Sequence, residues 1–426
     1  MNIKIHRGTD EIGGSCIELQ SGNSRLLLDL GMPLVDDNRL PFDKRTMNGK
    51  TIPELIKEKL LPDVPGLYDK SQKGPEAILI SHPHQDHYGL LQYAREDIPV
   101  YLSRGCHALM ESSRYFGQTD YQLANITPVV PWEPFQVADF TVTPYLMDHS
   151  GFDAFAWLVE AGGKRVFYSG DFRSHGRKHV LFENILSRPP ENIDYLILEG
   201  TMVERQEKGC LSETDVENEL VKRFRPLDEL FFFACSSQNI DRIVSVYRAC
   251  VKSGRMFIID PYTARVLDSV KEISGNIPQA DWGNNIGIFF IPGTHTEKMA
   301  NDKSLYKFKQ AKITYEYIAA NRNRMVIKDS YVMRDIFKNK QNLRNSRLIY
   351  SLWNGYLEKD RKFWEHYKVP IEEIHTSGHA FVKDLQELVK AIKPAHVIPN
   401  HTFAPDKFPG LFPDSDVIQL DKGVTI

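Results

Sequence analysis

The segment Ser81-His82-Pro83-His84-Gln85-Asp86-His87 constrains this chain more than any other. It follows the apolar run Ala77-Ile78-Leu79-Ile80, which reads as a short buried strand. Three imidazoles and a carboxylate therefore crowd a strand's exit, where a rigid scaffold presents working groups. His and Asp are mostly exposed or singly satisfied residues, so packing does not call for four of them together. His82 and His84 alternate in phase, and both rings can reach one ion. Asp86 and His87 come one short turn later and can face a second. These are donor types that divalent metals prefer, and the segment reads as a metal site.

The flanking chain repeats the same arrangement. Ile3 to His6 and Cys16 to Gln20 alternate as strands, Gly13-Gly14 breaks the chain, and Asn23-Ser24 makes a hairpin turn. The next arm, Leu26-Leu27-Leu28, ends in Asp29. A Pro- and charge-rich segment from Gly31 to Lys73 follows, with a short capped helix at Thr51 to Lys57. It exceeds a simple connection and reads as an overhang of the site or a surface elaboration. Val100 to Leu102 is a strand and Cys106 to Phe116 a helix. Phe140 to Tyr145 leads to Asp148-His149-Ser150. A hairpin around Gly162-Gly163 ends at Gly170-Asp171, and Ile193 to Leu198 ends at Glu199. Each apolar strand delivers a His or an acid at its carboxyl end, so a sheet with ligands gathered along one edge is expected.

From about Gly200 to Val369 the pattern changes. A helix over Thr214 to Arg223, strand Leu230–Cys235, helix Asn239–Lys252, strand Met256–Asp260 and helix Ala264–Ile273 stand in βαβα order, which predicts a parallel sheet. Residues 301–350 carry 12 Lys and Arg against 4 Asp and Glu, a local charge of +8 that leaves −11 on the rest of the chain. Tyr306, Phe308, Tyr315, Tyr317 and Tyr331 interleave with these charges, as in an electrostatic track with stacking surfaces. An ordinary solvated helix face with core aromatics is the alternative. The final stretch returns to the first pattern, with Glu373-Ile374-His375, a helix over Val382 to Ile392, and a strand His396–Pro399 that ends at Asn400-His401.

At 426 residues the chain is long enough for two cores. A 42% hydrophobic and 26% charged composition is that of a globular protein. Five cysteines without a CxxC pair argue against a disulfide framework or a zinc knuckle, and for a reducing compartment. No secretory h-region or membrane-length apolar run is present, so a cytoplasmic location is expected.

The set His82-x-His84-x-Asp86-His87, with His149, Asp171 and the late His401, resembles the metallo-β-lactamase family. Glu199, the turn Ser377-Gly378-His379-Ala380 and His401 resemble motifs A, B and C of its β-CASP branch. Asp10-Glu11-Ile12-Gly13-Gly14, Leu28-Asp29-Leu30-Gly31 and His375-Thr376-Ser377-Gly378-His379-Ala380 look most like the RNase J group. Motif A here is Glu rather than Asp, and motif C reads Pro399-Asn400-His401-Thr402-Phe403 without His-Gly-Glu. The chain stops soon after motif C, where the RNase J group continues into a further domain.

The resemblance implies an αββα sandwich with an inserted α/β domain. The parts are 1–202 and 371–426 for the sandwich and 203–370 for the β-CASP insert. It implies two zinc ions, with manganese as the alternative. His82, His84 and His149 would hold one ion, Asp86, His87 and His401 the other, and Asp171 would bridge them. Asp29 would brace a ligand from behind. Asp86, Asp171, His379 and Glu199 form the implied catalytic set: His379 meets the scissile phosphate or protonates the leaving oxygen, and Glu199 orients an imidazole. Ser236, Ser237, Ser377 and Gly378 are candidates for binding phosphate through hydroxyls and backbone N–H groups. The implied activity is a metal-dependent ribonuclease on single-stranded RNA, cutting from a 5′ end or internally. A DNA nuclease of the same family and a small-molecule metallo-hydrolase are the competing readings. The implied partners are single-stranded RNA, no membrane, and a homo-oligomer or a protein complex.

Overall fold

A computed structural model describes the chain except residues 37, 118–123, 206–208, 227, 284, 292, 294–301, 341, 354, 356 and 359. It divides into two compact units. The first comprises Met1–Met110, Gly117–Glu207 and Gly378–Ile426, and the second Glu111–Phe116 and Lys208–Ser377.

The first unit opens with strands β1 (Asn2–Arg7), β2 (Cys16–Ser21), β3 (Ser24–Leu28), β4 (Ala77–Leu79), β5 (Val100–Leu102) and β6 (Ile126–Pro128), adjacent in that order in one sheet. It continues with β7 (Phe135–Val137), β8 (Phe140–Met147), β9 (Ala154–Ala161), β10 (Lys164–Tyr168) and β11 (Tyr195–Glu199). The second unit contributes β12 (Leu230–Ala234), β13 (Met256–Ile259), β14 (Ile286–Phe289), β15 (Lys312–Ile313), β16 (Met325–Lys328), β17 (Ser346–Tyr350) and β18 (Ile371–Glu373). The chain then adds β19 (His396–Asn400) and β20 (Asp416–Val417) to the first unit, whose second sheet runs β20-β19-β11-β10-β9-β8-β7.

Alternation along the strands sorts side chains into layers, because successive residues point to opposite faces. Leu26, Leu28, Ala77 and Leu79 join Trp157, Val166, Ile197 and Ile398 in a core between the two sheets. Leu27, Ile78 and Ile80 face the other way and pack on Leu55 and Met110, which lie on helices Ile52–Lys57 and Arg104–Tyr115. On the second sheet, Leu196, Leu198 and Val397 pack outward on Phe182 and Ile185 of helix Val180–Ser187 and on Leu385 and Leu388 of helix Val382–Ile392. The result is an αββα sandwich.

The second unit is a seven-stranded sheet in the order β15-β14-β13-β16-β12-β17-β18, parallel throughout. Ile371–Glu373, where the sequence reading places the return to the sandwich, pairs with β17 in this sheet. The helix expected at Ala264–Ile273 spans Pro261–Ser269 instead. Asp260 caps it by accepting from Thr263 N, and Pro261 supplies the preset first turn.

The basic window is only partly a surface. Phe308 is buried, and Tyr315 packs against the unit's core, so neither is a stacking surface. Arg334 is buried against Asp329 and Asp360, and Arg347 pairs with Glu229. Tyr306, Tyr317 and Tyr331 are exposed. No helix among the described residues is long and apolar enough to cross a membrane.

Candidate metal centre

Six strand ends position the cluster. β3 and β4 run parallel, as do β10, β11 and β19, so their carboxyl ends align. Asp29 follows β3, Ser81 and His82 follow β4, His149 follows β8, Asp171 follows β10, Glu199 ends β11 and His401 follows β19. Leu30–Met32 locks onto the turn that carries Asp86 and His87: Leu30 N donates to His87 O at 2.8 Å and Met32 N to Gln85 O at 2.9 Å. Gly31 permits this approach, since a Cβ there would meet the Asp86 carbonyl oxygen at 1.7 Å.

Two donor sets result. In the first, His84 Nδ1 lies 3.1 Å from His82 Nε2 and 3.3 Å from His149 Nε2. Tetrahedral zinc with Zn–N bonds of ~2.0–2.1 Å places its ligands about 3.3–3.4 Å apart. The second set groups Asp86, His87, Asp171 and His401. His87 Nε2 stands 3.1 Å from Asp171 Oδ2, and His401 Nε2 stands 3.2 Å from Asp86 Oδ2. The same Asp171 Oδ2 is 3.8 Å from His82 Nε2 of the first set. Both Asp171 oxygens and His87 Nε2 are buried without a hydrogen-bond partner. Partnerless buried donors and acceptors cost free energy, and a shared cation would satisfy them. The residues fit a metal, and imidazole nitrogen with carboxylate oxygen suits zinc.

Charge is distributed accordingly. Burial pushes His82 and His149 well below the usual imidazole range, and neighbouring histidines push the same way. Burial holds His84 down at about 4. These three offer neutral lone pairs. Burial alone would raise the Asp86 carboxyl, but His87 and His401 outweigh it and hold it at about 2. Asp171 lies well below its ordinary value for the same reason, with burial overcome by His401, His87 and His379.

The outer contacts orient the rings. Asp29 is fully buried and accepts from Ser81 N at 2.7 Å, Ser81 Oγ at 2.8 Å, Tyr168 OH at 2.7 Å and His87 Nδ1 at 2.7 Å. With its proton held at Nδ1, His87 turns Nε2 to the cluster. Thr201 Oγ1 is hydrogen-bonded to His401 Nδ1 at 2.8 Å and orients that ring in the same way. Asp148 is buried against Arg173 and joins the turn before His149 to the one after Asp171. His379 Nδ1 contacts Glu199 Oε2 at 3.2 Å and stands 3.6 Å from Asp171 Oδ2, with 21% of its side chain exposed. Burial lowers its basicity, but Glu199 and Asp171 outweigh that and raise it above the ordinary imidazole value.

All seven implied metal ligands, with Asp29, Glu199 and His379, thus lie in one region of the first unit. The phosphate candidates are spread more widely. Gly378 packs against Ser150 in the first unit, whereas Ser236, Ser237 and Ser377 belong to the second. Ser237 is buried with its hydroxyl on Thr263 Oγ1 at 2.9 Å, and Ser236 Oγ accepts from Gln238 N at 3.2 Å. The Ser237 hydroxyl thus ties its turn to helix Pro261–Ser269. Ser81, Tyr168, Thr201 and Arg173 were missed by sequence reasoning; a strand-end Thr or Tyr carries no local mark of its distant partner. Of the histidines outside every motif, His6 pairs with Glu18 and His396 with Asp416, while His295 lies outside the described residues.

Comparison with known proteins agrees with this geometry. Residues 51–226 match the "Beta-lactamase superfamily domain", and residues 367–403 match the "Zn-dependent metallo-hydrolase RNA specificity domain". Ribonuclease J of Helicobacter pylori strain B128 is 22% identical over 92% of this chain and 55% of its own length. Ribonuclease J of Mycoplasma pneumoniae is 20% identical over 92% of this chain and 66% of its own length. The chain thus spans between about half and two thirds of these curated relatives. A crystal structure of a protein of unknown function from Enterococcus faecalis V583 superposes with a TM-score of 0.79 at 19% identity, covering 100% of this chain and 99% of the other.

Proposed function

Since the chain is a metallo-β-lactamase-fold protein of the β-CASP, ribonuclease J-like kind, we propose that it hydrolyses phosphodiester bonds of single-stranded RNA with two metal ions. The observation that carries this reading is Asp171, whose Oδ2 stands 3.1 Å from His87 Nε2 of one donor set and 3.8 Å from His82 Nε2 of the other. His82, His84 and His149 would hold one zinc, and Asp86, His87 and His401 the other, with Asp171 within reach of both; manganese is the alternative. Bound there, the pair supplies an activated water and neutralises charge on the phosphate oxygens.

The protein's own groups do the rest. Asp29 holds a proton on the outer nitrogen of His87 and Thr201 engages the outer nitrogen of His401, so the inner nitrogens stay available as ligands. Glu199 and Asp171 raise the basicity of His379, a partly exposed member of the cluster. As water adds to phosphorus and gives up one proton to solvent, the P–O3′ bond would break and the leaving oxygen would take a proton from His379, which regains one from solvent afterwards. Glu199 also accepts from Phe172 N at 2.9 Å, which ties it to the Asp171 turn and fixes its place beside the imidazole.

The test uses purified protein with zinc or manganese and a 5′-labelled single-stranded RNA, beside a matching DNA and a His84→Ala control. Labelled mononucleotide from RNA alone would identify a 5′ exoribonuclease, and internal fragments an endoribonuclease. Cleavage of DNA but not RNA, or equal cleavage by His84→Ala, would overturn the proposal.

A further inference from the structure

Two of the strand ends that build the metal centre continue into a second feature. Gly200, Thr201, Glu204 and Arg205 after Glu199, and Thr402 and Phe403 after His401, line a cleft of about 250 Å³ together with Ile12 and Arg39. Thr201 in its wall is hydrogen-bonded to His401, so the cleft adjoins the ligand cluster. Its volume falls below the ~300–1,000 Å³ of pockets for drug-sized ligands, which suits a single flat ring.

Arg39 comes from the long segment after Gly31 whose purpose the sequence leaves open. Its guanidinium lies over the Phe403 ring, with Cζ 4.4 Å from the centroid, yet 63% of the side chain is exposed. The cation is backed by an aromatic ring while most of the side chain is exposed. Glu204 stands 4.0 Å from Arg39 and 3.4 Å from Lys407. With Arg205 also in the lining, cations outnumber the carboxylate at this rim. A stacking plane with a positive rim is the chemistry that takes an unpaired base and its neighbouring phosphates. A small carboxylate or lone phosphate would need the charge but not the plane.

We propose that this cleft is a nucleobase subsite: the base of a nucleotide flanking the scissile phosphate stacks on Arg39, which Phe403 supports from behind. The inference rests on the ribonuclease reading above, but its test does not require turnover. Equilibrium binding of fluorescent single-stranded RNA is measured by anisotropy in the His84→Ala background, with and without Arg39→Ala, Arg39→Lys or Phe403→Ala. The RNA is either intact or carries one abasic nucleotide walked along the strand. Thermal unfolding verifies that each variant is folded.

With Arg39 present, removing the base at one position should weaken binding about tenfold, equivalent to ~1.4 kcal/mol, within the range of a base-stacking contact. Arg39→Ala should weaken intact RNA by the same factor and abolish the abasic penalty. Arg39→Lys, which keeps the charge and loses the plane, should behave like Arg39→Ala. Folded variants that retain the full abasic penalty would overturn the subsite, as would full binding by Arg39→Lys, which would reduce Arg39 to a point charge. Base-dependent binding at Arg39 in a protein that cleaves no RNA would overturn the ribonuclease reading alone.

Discussion

Replacing Asp29 by Asn tests the metal centre without touching a ligand. Asp29 Oδ2 accepts from Ser81 Oγ, His87 Nδ1 and Tyr168 OH, while Oδ1 accepts from Ser81 N. An amide of the same size cannot satisfy these donors. With its NH2 at the Oδ2 position it faces three of them, and in the other orientation it opposes the Ser81 N–H. One buried donor at least is left unpaired, which costs about 1–3 kcal/mol. The His87 ring also loses the anion that holds its proton on the outer nitrogen, and changes to such a partner lower metal affinity about 10–100-fold. That range corresponds to ~1.4–2.8 kcal/mol. Competition against a chromophoric zinc chelator measures the affinity, and urea unfolding of the metal-free protein measures the stability separately. The expected result is weaker binding of one ion per chain beyond any effect on the metal-free fold. Unchanged zinc affinity in a folded Asp29→Asn protein would refute the argument that Asp29 sets the orientation of His87.

Three further outcomes are expected. Stripping metal with a chelator should destabilise the protein, because Asp171 and His87 Nε2 are left buried without partners; restoring zinc to 100 times its Kd should return about 2.7 kcal/mol, read as a shift in thermal midpoint, and no shift would argue against a metal at this site. Gly31→Ala should displace the Asp86–His87 turn, since the new Cβ would collide with Asp86 O; loss of zinc binding exceeding that of Gly410→Ala, where a Cβ meets nothing within 4 Å, is the result to look for by metal titration. Glu11 lies below its ordinary value because Arg7 and Lys422 outweigh the effect of its burial. Its contribution is therefore present above the unfolded carboxylate value of about 4.3 and is lost as pH falls through the lower folded value. Urea unfolding at successive pH values should show a shallower loss in acid for Glu11→Gln than for the wild type.

Short-range physics made much of the chain readable. Leu26-Leu27-Leu28 is a strand because a fully apolar run bounded by a turn and an Asp has little else to do, and β3 spans Ser24–Leu28. The βαβα order predicted a parallel sheet in the second unit, and its paired strands are parallel. The helix after β13 began early because Asp260-Pro261 is a stronger start signal than the apolar periodicity that followed. The aromatic residues of the basic window could not be sorted by spacing alone: Phe308 is buried and Tyr331 exposed by what surrounds them.

What the sequence determined by itself was the local chemistry: donor types, their spacing within one turn, and the strands whose ends carry them. A ligand class and a layered α/β fold follow from contacts made within a few residues. The tertiary structure alone decided which distant groups serve those donors. Thr201 reaches His401 across 200 positions, Tyr168 reaches Asp29 across 139, and Ser81 reaches Asp29 across 52. Arg39 meets Phe403 only because the loop after Gly31 folds back to the end of β19. Such pairs have no periodic or compositional signature, since a hydrogen bond or a stacked ring depends on position in space and not on separation along the chain.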